Sequence, residues 1–324
     1  MLKVGYPAAL SADLVSLFPS GVELVPLPSK PEGEIEVDFW IPPPAAVLGQ
    51  RVWPHLRGVS IVQSLMAGTE WLTDMVEPSV TVCNAQGAHS ISTAEWTLSA
   101  ILAQLKYLPL YHQLQQQSDW AGRRAASAAY AAIHKDDAPQ FPPVLQEELH
   151  GKRVLIVGHG DIGKYIEKLL VPFGVTITRV ARSARTQPRV HPVDALDSLL
   201  PDADIVVLIL PHTPATHGLI GAKQLALMPQ GALLVNAARG PIVQTDALVE
   251  ALNAGHIRAA LDVTDPEPLP ADHPLWKCPN LLITPHVAGS TPQFSPRAVQ
   301  IAVDQLNRLL KGEPLIYVVQ QGKA

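Results

Sequence analysis

The feature that most constrains this chain lies near its middle. Val154-Leu155-Ile156-Val157 is an unbroken apolar run that leads directly into Gly158-His159-Gly160-Asp161-Ile162-Gly163. A strand that ends in glycines at this spacing and opens into a helix is the phosphate-cradling element of dinucleotide-binding folds. The first glycine makes the tight turn, the second lets backbone approach a pyrophosphate, and the third lets helix and strand pack closely. The helix N-terminus then offers N–H groups and a positive dipole end to the phosphates. Alone the pattern is weak. Its setting, with a strand before, a helix after and a second strand at Val175–Val180, makes Gly158, His159, Gly160, Asp161, Ile162 and Gly163 candidate dinucleotide-binding residues.

Around this turn the chain alternates between short strands and helices. Leu2–Gly5, Val22–Val25, Val37–Ile41, Ser60–Val62 and Thr81–Asn84 read as strands of a first block. Val154–Val157, Val175–Val180, Ile205–Leu210, Leu233–Asn236, Ala259–Asp262 and Leu281–Thr284 form a second block of six, the count of a full dinucleotide-binding sheet. Such alternation predicts parallel sheets covered by helices. Ser90–Gln117 reads as one long helix with a break near Pro109, starting at Ser92 in a capping box with Glu95, or at Ser90. Trp120–His150, alanine-rich and punctuated by Pro139, Pro142 and Pro143, reads as a crossover or an extended arm. The helix from about Pro296 to Leu310 is too short to stand alone and is expected to return to the first block. The fold class is therefore α/β: a Rossmann-type doubly wound parallel sheet at 99–287, and a discontinuous second α/β domain at 1–98 and 288–324.

Composition narrows the partners. The 324 residues carry 47% hydrophobic and 16% charged side chains, with a net charge of −5, which gives no general basis for binding nucleic acid or acidic membranes. No apolar run reaches the roughly 18 residues of a membrane span. Cys83 and Cys278 have no metal-ligand spacing around them and read as a buried, reduced pair, so no metal is expected. Met1–Gly5 looks like an immediate first strand rather than a signal peptide, and the expected location is cytoplasmic.

The end of the second strand bears on cofactor choice. Ala181 stands 23 residues after Gly158, where an NAD-preferring protein usually places an acid on the ribose 2′-hydroxyl. Without that charge, Arg182 and the Ser183 hydroxyl offer a place for a 2′-phosphate, and Arg185 adds to it. NADP(H) is therefore the expected cofactor and NAD(H) the alternative. Pro211 and Ala237, each just beyond a strand end, are placed beside the cofactor, since strand C-termini line the ligand crevice of such sheets. His212 and His217, in the Pro211 loop, read as surface residues. Three further strand ends carry Arg239, Glu267 and His286. An arginine suits a substrate carboxylate, and a histidine suits proton transfer to or from an oxygen. A carboxylate on the other ring nitrogen would fix the histidine tautomer.

Four segments, Gly158-His-Gly-Asp-Ile-Gly163, Val235-Asn-Ala-Ala-Arg-Gly240, Asp262-Val-Thr-Asp-Pro-Glu-Pro268 and Thr284-Pro-His-Val-Ala-Gly289, resemble successive signatures of the D-isomer-specific 2-hydroxyacid dehydrogenases. Ser64-Leu-Met-Ala-Gly-Thr69 and Asn84-Ala-Gln-Gly87 extend the resemblance to the N-terminal part. The resemblance implies a flavodoxin-like substrate domain, a homodimer, and a 2-keto/2-hydroxy acid pair as substrate. It also implies Arg239, Glu267 and His286 as catalytic residues, and Asp262 on the nicotinamide carboxamide. By the same resemblance Met66 is expected beside the substrate, with the backbone of Ala67 and Gly68 holding its carboxylate. Departures are the long 121–150 segment and Thr264, where an aromatic residue is common. Formate dehydrogenases of the superfamily carry Gln at the position of Glu267. The rival from another class is a dinucleotide-sensing regulatory or corepressor-type protein, against which the chain shows no basic DNA-binding segment.

Overall fold

Seven strands of the second half of the chain pair in parallel in the computed structural model, which describes residues 1–135 and 146–322. Their spatial order is His191–Pro192, Thr176–Ala181, Arg153–Val157, Ile205–Leu208, Leu233–Asn236, Arg258–Leu261 and Leu281–Ile283. This is the doubly wound order, with the chain reversing direction across the sheet at the strand that precedes the glycine turn. The apolar runs have no polar alternation because both faces are covered. Leu155, Val157, Val206, Leu208 and Leu234 pack into one hydrophobic cluster, while Val154, Ile156, Ile205, Val207, Leu233 and Val235 pack into another on the opposite face. That alternation is the period of two of a β-strand.

The chain divides into two compact units, Met1–His89 with Ser290–Ala324, and Ser90–Gly289. The helix Ser90–Leu105 thus falls wholly in the second unit, where Ala94, Ala100, Ile101 and Leu105 join the core beneath the glycine-turn strand. The first unit has a flavodoxin-like sheet in the order Val318–Gln320, Thr81–Cys83, Ile61–Gln63, Phe39–Trp40, Leu2–Pro7 and Val22–Leu27. The helix Phe294–Leu310 belongs to it, because Ala298, Val299, Ala302, Val303 and Leu306 are buried with Val4, Phe18, Val22, Phe39 and Ile41.

Several expectations are corrected in detail. The expected break near Pro109 divides the run into two helices, Ser90–Leu105 and Leu108–Gln116, separated at Tyr107 with φ 54 and with Pro109 in the next first turn. Of the two expected starts, Ser90 is the one observed. Only Phe39 and Trp40 of the 37–41 run pair as a strand. The short strands His191–Pro192 and Val318–Gln320 were not expected; both are edge strands, the second antiparallel to Thr81–Cys83. Part of the 120–150 segment is helical, at Ala125–His134, where alanine is a strong helix former. Pro139, Pro142 and Pro143 lie outside the described residues. Both cysteines are free; Cys83 is buried, but Cys278 is only half-buried. Among the described residues no helix is long and apolar enough to cross a membrane.

Candidate active site

The glycine turn is dictated by close backbone approach. Gly158 has φ +111, and a Cβ there would stand 2.1 Å from the carbonyl oxygen of Ile209 in the neighbouring strand's loop. A Cβ on Gly163 would meet the Gly158 carbonyl oxygen at 2.2 Å, so the helix sits directly on the turn. At Gly160 a Cβ would meet nothing within 4 Å, leaving open space in front of the helix Asp161–Leu170. Gly160 is its N-cap and supplies no side-chain cap, and a helix N-terminus of this kind suits an anion. An open cradle of this kind fits a pyrophosphate.

The His159 side chain turns away from that cradle and is 5% exposed. Its Nδ1 lies 3.1 Å from Nη2 of Arg185, and its Nε2 lies 2.7 Å from Oε2 of Glu167. A guanidinium only donates, so Nδ1 accepts and Nε2–H donates to Glu167. Glu167 also receives Nε of Arg179 at 2.7 Å and the Arg179 Nη2 on its other oxygen. The Arg179 hydrogen bonds hold the Glu167 carboxyl below its ordinary range against the opposing effect of burial, and His159 adds to them. Arg182 and Ser183 are exposed just past the strand Thr176–Ala181.

Three loops at the carboxyl edge of the same sheet are tied together by buried polar side chains. Asn236, 1% exposed, donates from Nδ2 to the Arg239 carbonyl at 3.0 Å and accepts the Ala238 N–H at 3.0 Å, which shapes the turn presenting Arg239. Arg239 is half-buried and donates from Nη1 to the Ala238 carbonyl. Gly240 is required next to it, since a Cβ would meet the Thr264 carbonyl oxygen at 1.9 Å in the loop that leads to Glu267. Asp262, 3% exposed, accepts from the Thr284 hydroxyl at 2.6 Å and from the N–H groups of Val287 and Ala288 at 2.9 Å each. Its carboxylate therefore holds the loop that carries His286.

His286 adopts φ 54, a conformation that costs a non-glycine residue about 1–3 kcal/mol and persists only where surroundings impose it. Its N–H donates to the Asp262 carbonyl at 2.7 Å, which helps impose it. The ring nitrogen Nδ1 lies 2.6 Å from Oε1 of Glu267. Both side chains are nearly half exposed, at 48% and 40%. With Nδ1–H donating to the carboxylate, Nε2 is the nitrogen left for proton exchange.

In the first unit, Met66, Ala67 and Gly68 follow the strand Ile61–Gln63 and are half-buried. The turn is held by Ser64 Oγ accepting the Met66 N–H at 2.9 Å and by Asn84 Nδ2 donating to the Ala67 carbonyl at 2.9 Å. The Ala67 and Gly68 N–H groups make no hydrogen bond among the described residues. Beyond the fourth strand of the cofactor sheet, the exposed Pro211 accepts a hydrogen bond from Thr216 Oγ1 at 2.8 Å through its carbonyl, and His212 pairs with His217 at 3.1 Å. His212 is half-buried and His217 exposed, as expected of surface residues. Ala237 is half-buried at the end of Leu233–Asn236. No group of three or more His, Cys, Asp and Glu among the described residues is arranged to hold a metal. Asn236 and Thr284 are the contributors that sequence reasoning missed: both stood inside the quoted motifs, but only their side-chain contacts show that they shape the site.

Comparison with known proteins gives the family. The family model for the NAD binding domain of D-isomer specific 2-hydroxyacid dehydrogenases matches residues 98–288. The chain is 34% identical over 249 residues to a glyoxylate reductase of Thermofilum pendens, covering 75% of this chain and 68% of that protein. It is 32% identical over 254 residues to a chloroplastic/mitochondrial formate dehydrogenase of Arabidopsis thaliana, covering 75% of this chain and 62% of that protein. A D-isomer specific 2-hydroxyacid dehydrogenase of Xanthobacter autotrophicus Py2, solved in complex with NADPH and MES, matches with a TM-score of 0.76 at 28% identity, over 98% of this chain and 97% of that one. The chain belongs to the D-isomer specific 2-hydroxyacid dehydrogenase family.

Proposed function

We propose that the protein is an NADP(H)-preferring oxidoreductase that interconverts a 2-keto acid and its (R)-2-hydroxy acid. The observation that carries this reading is the Glu267–His286 pair, 2.6 Å apart and half exposed, at the carboxyl edge of a sheet whose glycine turn suits a dinucleotide. The bound cofactor supplies a hydride to C2 of the keto acid, or removes one from the hydroxy acid. In the reducing direction His286 gives its Nε2 proton to the carbonyl oxygen as the C=O electron pair moves onto it. Glu267 accepts the Nδ1–H throughout, fixing the ring's orientation and stabilising its charged form. Arg239 binds the substrate carboxylate through its fork of donors and polarises the adjacent carbonyl. The first unit's proposed contribution is the Met66–Gly68 turn, whose amides at Ala67 and Gly68 suit an anionic group.

Asp262 retains one acceptor site on Oδ2, enough for an amide donor such as the nicotinamide carboxamide. A carboxylate at 267 favours this chemistry over formate oxidation, which releases no alcohol proton to a base. For the cofactor, Ala181 with Arg182 and Ser183 supports NADP(H) over NAD(H), with Pro211 and Ala237 beside the bound dinucleotide. A homodimer is part of the same proposal.

A panel of 2-keto acids, glyoxylate and hydroxypyruvate first, followed by nicotinamide absorbance with NADPH and with NADH, tests the reading. Turnover with a higher kcat/KM for NADPH is expected, and Ala181→Asp should move the ratio at least about tenfold towards NADH, the size of one lost or gained charge interaction. A preference for NADH in the unmodified protein would overturn the cofactor assignment. Cofactor binding without turnover of any keto acid would favour a dinucleotide-sensing protein instead.

A further inference from the structure

Four arginines, at 179, 182, 185 and 189, cluster after or within the second cofactor strand, and the structure separates their roles. Arg179 is consumed: Glu167 takes two of its donors and matches its charge. Arg182 extends from the surface without a hydrogen bond or ion pair among the described residues, so it offers charge without fixed orientation. Arg185 differs from both. Its backbone is pinned by a reciprocal pair with Val190, Arg185 N–H to the Val190 carbonyl at 3.1 Å and Val190 N–H to the Arg185 carbonyl at 2.9 Å. Its Nη2 reaches back to the glycine turn, donating to the His159 carbonyl and to His159 Nδ1, each at 3.1 Å.

We propose that Arg185, held in place by the His159 ring, is the residue that selects a 2′-phosphorylated cofactor, with His159 as its positioning residue. This rests on the dinucleotide reading above and names what that site discriminates. In this fold the adenosine ribose lies between the glycine turn and the end of the second strand. Arg185 bridges those two segments. It uses one nitrogen to do so, and Nη1 and Nε have no partner among the described residues, leaving three N–H donors on two nitrogens and an unneutralised charge for a phosphate. A cavity of about 490 Å³ opens beside it on Ala184, Arg185, Thr186 and Gln187.

His159 is suited to the task because Glu167 fixes its tautomer. With Nε2–H committed to Glu167, Nδ1 can only accept, and the acceptor it presents is the one that Arg185 uses. Glu167 does this without neutralising Arg185, because its own charge is matched by Arg179.

Binding of 2′,5′-ADP and of 5′-AMP to the full chain, measured by calorimetry, tests this without turnover. The unmodified protein should bind 2′,5′-ADP more tightly than 5′-AMP. Arg185→Ala should weaken 2′,5′-ADP by about tenfold or more, the size of a charge-assisted hydrogen bond, with 5′-AMP changed less than about twofold. Arg182→Ala should cost less than Arg185→Ala. His159→Leu should reproduce part of the loss, about three- to tenfold, and His159→Gln, which keeps a donor and an acceptor, should restore most of it. If the unmodified protein prefers 2′,5′-ADP but neither Arg185→Ala nor His159→Leu moves it twofold, the proposal fails while the cofactor reading stands. If the unmodified protein does not distinguish the two nucleotides, both fail. Arg185 is exposed, so its variant keeps the test open even if His159→Leu does not fold.

Discussion

The cofactor-unit sheet carries a glutamate beside a histidine at each of its two edges, and the two sets differ in their surroundings. At the amino edge Glu147 is 4% exposed and fully engaged. It takes Nη1 of Arg258 at 2.8 Å, Nζ of Lys152 at 2.9 Å and the Tyr107 hydroxyl at 3.3 Å, with the His134 imidazole 3.3 Å away. At the carboxyl edge Glu267 meets only His286 among the described residues, at 2.6 Å, and both remain open to solvent. Arg258 opens the very strand whose far end leads to Asp262 and on to Glu267. Residue type therefore does not decide role here; the number of partners and access to water do. A saturated, buried carboxylate can only stabilise, because every state it could change to strands a charge. A carboxylate that orients one histidine nitrogen and leaves the other free can serve proton transfer. In an open α/β sheet the edge that binds ligands is the carboxyl one, which supports the proposed role of the second set.

Substitutions separate the two edges. His286→Ala should lower kcat by roughly 10²–10⁴-fold, the span of general acid–base catalysis, while the affinity for NADPH and the melting temperature stay close to the parent values. An unchanged kcat would remove His286 from the mechanism. At the other edge Glu147→Gln leaves Arg258 buried without its counter-charge, and should cost about 3–5 kcal/mol of stability in urea unfolding. The kcat of the molecules that remain folded should not change; a parallel fall in kcat would show that the edges are coupled.

Glu267→Gln keeps the shape but weakens the hold on the imidazolium, for an expected loss in kcat of about 10–10²-fold with little change in stability, since the pair is exposed. Substantial unfolding of that variant would mean that the carboxyl-edge pair is structural after all. The smallest effect concerns pH. Burial alone would push the Glu147 carboxyl up, but His134 and the charges of Arg258 and Lys152 outweigh it and hold the group far below its ordinary 4.5. A depressed folded value means that its stabilisation is present above pH 4.5 and is lost as pH falls below it, by at most about 1.4 kcal/mol in the first unit. The stability difference between the parent and Glu147→Gln should therefore narrow below pH 4.5; a difference that stays constant down to pH 3 would contradict the assignment.

Much of this molecule was legible in the chain because the signals are local. The strands at 154–157 and 233–236 declare themselves by uninterrupted apolar runs, and the glycine turn by a spacing that only backbone crowding requires. Arg239, Glu267 and His286 could be picked out because each follows a strand end by a few residues, and strand ends of a parallel sheet share one edge. The edge strands His191–Pro192 and Val318–Gln320 escaped because two or three residues carry no period, and partner strands, rather than sequence, order them. The break at Tyr107 was anticipated from Pro109, but the start of that helix was not settled by its candidate caps.

What the tertiary structure decided is everything that joins residues distant along the chain. Glu147 and Arg258 lie 111 residues apart, and no pattern in either neighbourhood announces that they meet. His159 was read as one position of a backbone motif, yet its ring is engaged 26 residues away by Arg185, which shifts attention from Arg182 to a differently held arginine. Asp262 shows the same division: its place after a strand was visible, but its grip on the backbone of Val287 and Ala288 was not. Local physics, meaning steric crowding at glycines and the burial period of strands, is written residue by residue and can be read directly. The pairing of buried polar groups depends on which surfaces fold together, and only the folded chain supplies that.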